Sequence, residues 1–208
     1  MKKFTIVLLM FVVLLSGCSV VRINTKDIDS ILNAVLTKSN KLYNQVGQGY
    51  KYYVPAGVTY IDTDEYTNIL YCNGSYYYLY IDMINYHYKT KINYKEKNNV
   101  YYSKKIDKSD GYKYSGYLEI TEEDNNMYHI DFLYNYSKVE ALVDKSKLNE
   151  SILNISYILS TIKYNENVVN LMLDEDYFTN KTGKYNTYKT NDSSNKFKLK
   201  TQDKGKES

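Results

Sequence analysis

Two residues, Asn73 and Gly74, separate the apolar run Ile69-Leu70-Tyr71-Cys72 from the aromatic run Ser75-Tyr76-Tyr77-Tyr78-Leu79. A connection this short sends the chain straight back on itself. The type I′ turn it requires has positive φ at both central positions, which Asn and Gly tolerate best. The two runs are therefore expected to pair as antiparallel strands. The return strand is predicted to continue towards Lys89, placing Tyr77, Leu79, Ile81, Met83, Asn85 and His87 on one face. Tyr76, Tyr78, Tyr80, Asp82, Ile84, Tyr86 and Tyr88 fall on the other. The Leu79/Ile81/Met83 face is the expected deep core, and a helix is expected to cover part of the aromatic face.

Further strand signals surround this hairpin. Residues 50–54 and 58–61 are aromatic and β-branched on either side of Pro55-Ala56-Gly57, which reads as a turn. Asp62, Asp64 and Glu65 read as a polar loop, as do residues 93–99, while residues 100–102 pair only briefly. Residues 104–113 read as a mobile turn, residues 114–121 and 127–134 as strands joined through the acidic turn 122–126, and residues 138–143 as a last strand. All these connections are too short for parallel crossovers, so an antiparallel meander is expected.

Helical spacing occurs at two places. Asp27 can cap a helix of about four turns carrying Ile28, Ile31, Leu32, Val35, Leu36 and Leu42. Ser146 can cap a second, in which Leu148, Ile152, Ile155, Leu159 and Ile162 share a face, and residues 168–173 predict a short final helical segment. The fold class read from these patterns is α+β: an antiparallel sheet packed by an N-terminal and a C-terminal helix.

Ahead of this domain, Lys2 and Lys3 precede an apolar run from Ile6 to Leu15, which ends in the small residues Ser16 and Gly17. That is the build of a secretory signal peptide, and it falls short of the ~20 apolar residues a membrane span needs. Leu15-Ser16-Gly17-Cys18 resembles the lipobox of bacterial lipoproteins. The resemblance implies cleavage before Cys18, a diacylglycerol thioether (and palmitate) on its sulfur, and a protein held on the extracytoplasmic face of the cell membrane. The expected organisation is a signal peptide over residues 1–17, a lipidated Cys and tether over 18–26, a single domain over 27–178 and a disordered polar tail over 179–208.

Composition narrows the function classes. The formal charge of +3 includes Lys2 and Lys3, which leave with the signal peptide, so the remainder stands near +1 and offers no strong field for nucleic acid. Of the two cysteines Cys18 is taken by the lipobox, leaving Cys72 without an intramolecular disulfide partner and expected as a buried, inert thiol. His87 and His129, both expected in strands, show no metal-ligand spacing, and no P-loop, Gly-x-Gly-x-x-Gly or Gly-x-Ser-x-Gly occurs. No catalytic, cofactor-binding or metal residue is expected. The acidic stretches at residues 62–65 and 122–124 lack the EF-hand pattern and read as solvated turns, and the lysines of the tail read as a soluble end or a weak contact for anionic headgroups.

The 27 tyrosines, with no Trp and one Pro, have two readings. A low-G+C genome would produce them along with the abundant Asn, Lys and Ile; alternatively they line a ligand surface, for which Tyr76, Tyr78, Tyr80, Tyr86 and Tyr88 are the candidates.

Tyr50-Lys51-Tyr52-Tyr53-Val54-Pro55-Ala56-Gly57, the antiparallel strands of residues 69–143 and the closing helix running into Ser160-Thr161-Ile162-Lys163-Tyr164 together resemble the PsbP-like and DcrB-like αβα sandwich. Val58 stands where that family usually has Trp. The resemblance implies a non-enzymatic accessory or binding role and carries over no functional residue. Three functions are thus expected in order: a non-catalytic binding module with an envelope protein or glycan as partner, a cell-wall or carbohydrate-active enzyme, and a solute-capture protein with a Tyr-lined pocket.

Overall fold

The computed structural model describes residues 27–64 and 67–174. In chain order, helix α1 (Ile28–Leu36) precedes a short hairpin of β1 (Gln45–Gly47) and β2 (Tyr50–Tyr52). Strands β3 (Thr59–Asp64), β4 (Thr67–Cys72) and β5 (Ser75–Ile81) follow, then helix α2 (Met83–His87). After a long irregular stretch come β6 (Tyr102–Ile106), β7 (Gly116–Glu123), β8 (Met127–Tyr134) and β9 (Ser137–Asp144). Helix α3 (Leu148–Thr161), the two-residue β10 (Lys163–Tyr164) and helix α4 (Glu166–Asp174) complete the described chain. The class is α+β, as the patterns predict.

The hairpin at Asn73-Gly74 forms with φ of 47° and 92°, and Cys72 pairs with Ser75 across it. Asn135 and Tyr136 make a second two-residue turn between β8 and β9, with φ of 53° and 60°. A simple meander does not result. The seven-stranded antiparallel sheet runs β3-β4-β5-β9-β8-β7-β6, because β5 pairs with β9 and the second ribbon enters from the far edge. Residues 82–101 must therefore cross four strand spacings, about 19 Å, to reach β6.

Alternation assigns the two sheet faces. Leu118, Phe132, Val139 and Leu79 lie in one cross-strand row, and Ile120, Ile130, Ala141 and Tyr77 in the next, all fully or almost fully buried. Helices α1 and α3 lie on this face and on each other, contributing Ile31, Leu32, Val35 and Leu36 from one and Ile152, Ile155 and Leu159 from the other. The Tyr77 hydroxyl donates to Ser151 Oγ of α3 at 3.0 Å, satisfying the one polar atom of an otherwise apolar ring. Both helices thus lie on the face opposite Tyr76, Tyr78 and Tyr80, which corrects the expectation that one of them covers the tyrosines.

A small sheet, β1-β2-β10, stands apart from the large one. Asn68 of β4, itself buried, joins the two: its Nδ2 donates to Tyr50 Oη at 2.9 Å and its Oδ1 accepts from the Tyr52 hydroxyl at 3.2 Å.

Several local expectations change for identifiable reasons. Asp27 caps α1 as read, accepting from Ser30 N at 2.9 Å, but the helix stops after nine residues instead of about four turns. Thr37 Oγ1 turns back to Asn33 O, polar residues follow, and Leu42 lies outside the helix. Ser146 caps nothing. Asp144 caps a 3-10 turn over Lys145–Lys147 by accepting from Ser146 N at 2.8 Å, and α3 starts from there. Asp62 and Asp64 belong to β3 rather than a loop, and residues 104–106 of the expected mobile turn belong to β6, because pairing with β7 supplies hydrogen bonds that its charged residues conceal in the sequence. Cys72 is buried and free, with Asn154 Nδ2 3.7 Å from its sulfur.

Leu159 is fully buried at the helix–sheet interface while Lys147 precedes α3 exposed. Leu159→Ala is expected to destabilise by about 2–5 kcal/mol and Lys147→Ala by about 0.5 kcal/mol or less, read from urea denaturation midpoints. Equal losses would mean that the buried side of α3 is assigned wrongly.

Candidate functional site

The strand β5 does not continue to Lys89. Asp82 ends it by accepting from Asn85 N at 2.8 Å, which caps α2, so the five candidate tyrosines are divided between strand and helix. Tyr76, Tyr78 and Tyr80 share the outer sheet face; Tyr78 is buried and the other two half-buried. Tyr86 instead stacks on Tyr164 with ring centroids 3.9 Å apart, and Tyr88 is 69% exposed. They form no common surface. His87 lies on α2, its Nδ1 3.0 Å from Asn170 Oδ1, whereas His129 is on β8 as expected. Cys18, the tether and the tail lie outside the described residues.

A different constellation occupies the outer face. Register places Glu119, Asp131 and Glu140 directly opposite one another on β7, β8 and β9, with Tyr78 next in the row. Three carboxylates in line repel one another and need cations. Lys138, two residues before Glu140 on β9, reaches Asp131 at 3.1 Å and Glu140 at 2.6 Å, with side-chain exposures of 13%, 24% and 5% for the three. Burial works against the charge on the Lys138 amine, yet the two carboxylates outweigh it and hold its pKa above the usual range. Burial pushes the Asp131 carboxyl up, and Glu140 beside it adds to this, so that Lys138 only partly offsets the shift.

The crossing segment supplies the remaining partner. Tyr94 lies flat on Tyr117, centroids 4.2 Å apart and planes within 4°, and its hydroxyl donates to Glu119 Oε2 at 2.8 Å. Burial and the neighbouring carboxylates push the Tyr94 hydroxyl up to about 12. Lys97 Nζ reaches Glu119 Oε1 at 2.8 Å, and burial of Glu119 is more than offset by Lys97 and Tyr94, leaving its carboxyl below the usual range. Glu96 accepts from Lys105 N at 2.7 Å, tying the end of the strap to β6. On the other side of the stack, the Tyr117 hydroxyl donates to Asp131 Oδ1 at 3.2 Å, and burial raises its pKa.

This strap leaves two adjoining cavities. One, of about 310 Å³, is lined by Asp82, Asn85, Ile92, Tyr117, Leu133, Tyr136 and Lys138. The other, of about 410 Å³, is lined by Lys89, Lys91, Lys105, Asp107, Lys108, Tyr114 and Tyr136. Thr90, Lys91, Ile92 and Tyr136 line both. Tyr136 is held there in a left-handed conformation that a bulky residue adopts only when its surroundings impose it. The surroundings are visible: the Tyr164 hydroxyl lies 3.1 Å from Asn135 O and 3.0 Å from Tyr136 O, and Tyr136 O also accepts from Asp82 N at 3.1 Å.

Chemically the first cavity combines an aromatic wall, an amide and the charged side chains of Asp82, Lys91 and Lys138 with aliphatic lining, a composition suited to holding a polar organic molecule. Among the described residues no group of three His, Cys, Asp or Glu side chains is placed to hold a metal ion. No family model, curated protein or solved structure matches this chain. The alternating charges of Glu119, Asp131, Lys138 and Glu140 inside apolar strands were a readable signal, but their alignment depends on register.

Because Asp131 has a folded pKa above the ordinary 3.8, the folded state binds the extra proton between those values, and this group's contribution to stability rises as pH falls. The stability of the wild type relative to Asp131→Asn is therefore expected to increase from neutral pH towards 3.8, measured by urea denaturation at stepped pH. A difference that shrinks on acidification would assign Asp131 a lowered pKa instead.

Proposed function

We propose that the protein is a lipid-anchored binding module on the outer face of the cytoplasmic membrane, and that the cavity beneath the 89–97 strap holds a glycan or glycan-like envelope component. The anchor reading rests on Leu15-Ser16-Gly17-Cys18 after an apolar leader. The ligand reading rests on one observation: the strap partly roofs a half-open cavity of about 310 Å³ lined by Tyr117, Asn85 and Lys138. A sugar presents an apolar ring face and a rim of hydroxyls, and this lining offers an aromatic ring with amide and charged hydrogen-bonding groups around it. Lys138, which lines the cavity, is held by Asp131 and Glu140 behind it, which suits a fixed polar contact better than a free acid or nucleophile. The resemblance to PsbP-like and DcrB-like domains implies the same non-enzymatic role.

Two measurements test the two halves. Cys18→Ser is expected to abolish radiolabelled palmitate incorporation and leave precursor or released protein; membrane retention with an uncleaved leader would make the protein signal-anchored. Soluble wall-derived oligosaccharides are expected to raise thermal stability with the logarithm of their concentration, by about 2.7 kcal/mol at a hundredfold excess over Kd. Ile92→Trp, which adds bulk to the strap side of the cavity, should remove that gain. Turnover of the saccharide would move the assignment to a carbohydrate-active enzyme.

A further inference from the structure

Away from the strap, the small sheet carries an unneutralised basic cluster. Lys51 and Lys163 stand directly opposite each other on β2 and β10, an arrangement that like charges disfavour. Val46 is opposite Lys51 on its other side, so Val46, Lys51 and Lys163 form one outward row, while Tyr50 and Tyr52 face inward. Lys113 is brought in by the end of α1, its backbone N–H meeting Leu36 O and its Nζ lying 3.1 Å from Ser39 Oγ. Burial and then the fields of Lys51, Lys113 and Lys41 hold the Lys163 amine below its usual range, placing all four in one electrostatic neighbourhood. None of the four forms an ion pair among the described residues.

The same neighbourhood exposes apolar side chains. Leu42, Tyr43 and Val46 are 55%, 53% and 74% exposed, and Lys51 Nζ stands 4.0 Å from the centre of the Tyr43 ring. Leu, Tyr and Val projecting among lysines are what the boundary between headgroups and acyl chains accepts: the apolar groups enter, tyrosine sits at the polar interface and lysine meets phosphate. A protein partner would need a buried patch of about 800 Å² on this side. Three isolated apolar residues surrounded by four lysines do not provide its dry centre.

We propose that Lys41, Lys51, Lys113 and Lys163, with Leu42, Tyr43 and Val46, form a membrane-contact surface that seats the domain on anionic phospholipid. The proposal rests on the anchored reading only for proximity. Asp27 lies nine positions after Cys18, and a chain of that length reaches up to about 30 Å. Helix α1, nine residues and roughly 14 Å long, ends beside the patch, so the tether can span the helix and allow the patch to meet the bilayer.

The test uses the chain from residue 18 onward with Cys18→Ser, which contains every described residue and no lipid, so failure of acylation in the cell leaves its outcome unaffected. Co-sedimentation with vesicles of phosphatidylcholine and phosphatidylglycerol in equal parts is expected, with little partitioning onto phosphatidylcholine alone and loss in high salt. Lys51→Ala with Lys163→Ala should weaken the anionic-vesicle partition about 30-fold, since each lysine near such a surface contributes about fivefold. The tail lysines remain in that variant, so the loss assigns binding to the patch. Equal partitioning onto both vesicle types, no partitioning at all, or an unchanged partition in the double variant would each overturn the proposal.

Discussion

The pairing of β5 with β9 is the constraint from which the rest of the architecture follows. It joins two antiparallel ribbons at their inner strands and leaves the second ribbon to begin at the far edge. Chain continuity then obliges residues 82–101 to traverse the sheet. The inner face is already filled by α1 and α3, so the crossing segment runs over the outer one, where Tyr94 meets Tyr117. The strap and its cavities are consequences of one strand neighbourhood.

That outer face is also where the protein departs from the cheapest way of covering a sheet. A row of Glu119, Asp131 and Glu140 with Lys138 buried among them costs desolvation, which the partners more than offset at Lys138 and Glu119 but only partly at Asp131. An aliphatic row at the same positions would stabilise the sheet at least as well. The charges are satisfied nonetheless: Lys138 serves two carboxylates, Tyr117 donates to one of them, and Tyr94 and Lys97 serve the third. Such an arrangement fixes Lys138 in the wall of the cavity beside it, which an aliphatic row would not.

The small sheet is tied both to the basic patch and to the cavities. Asn68 locks the small sheet to the large one through the Tyr50 and Tyr52 hydroxyls, so Lys51 and Lys163 are presented from a firm base. Tyr164, next to Lys163 on β10, clamps Asn135 and Tyr136 at the β8–β9 turn beside the cavities. The tyrosines here are structural parts: stacked rings, inter-sheet hydroxyls and turn clamps, with only a few left exposed. A bias from codon usage and a use for each ring are compatible, because tyrosine supplies both area and a terminal hydrogen bond.

Local interactions were legible in the sequence. The turn at Asn73-Gly74, the cap at Asp27, the turn after Pro55 and the apolar face of α3 each depend on residues close along the chain. The same holds for the alternation that buries Tyr77, Leu79 and Ile81. The end of β5 at Asp82 was equally local, in the spacing of Asp82 and Asn85, but the tyrosine alternation beyond it reads as strand and conceals the cap. What alternation cannot state is which strand lies beside which, because a face repeats every two residues whatever the neighbour. The pairing of β5 with β9, the line of Glu119, Asp131 and Glu140, and the meeting of Lys51 with Lys163 were therefore decided by tertiary structure alone. Each depends on hydrogen-bond register between segments far apart in the chain, where the gain comes from burying both partners together.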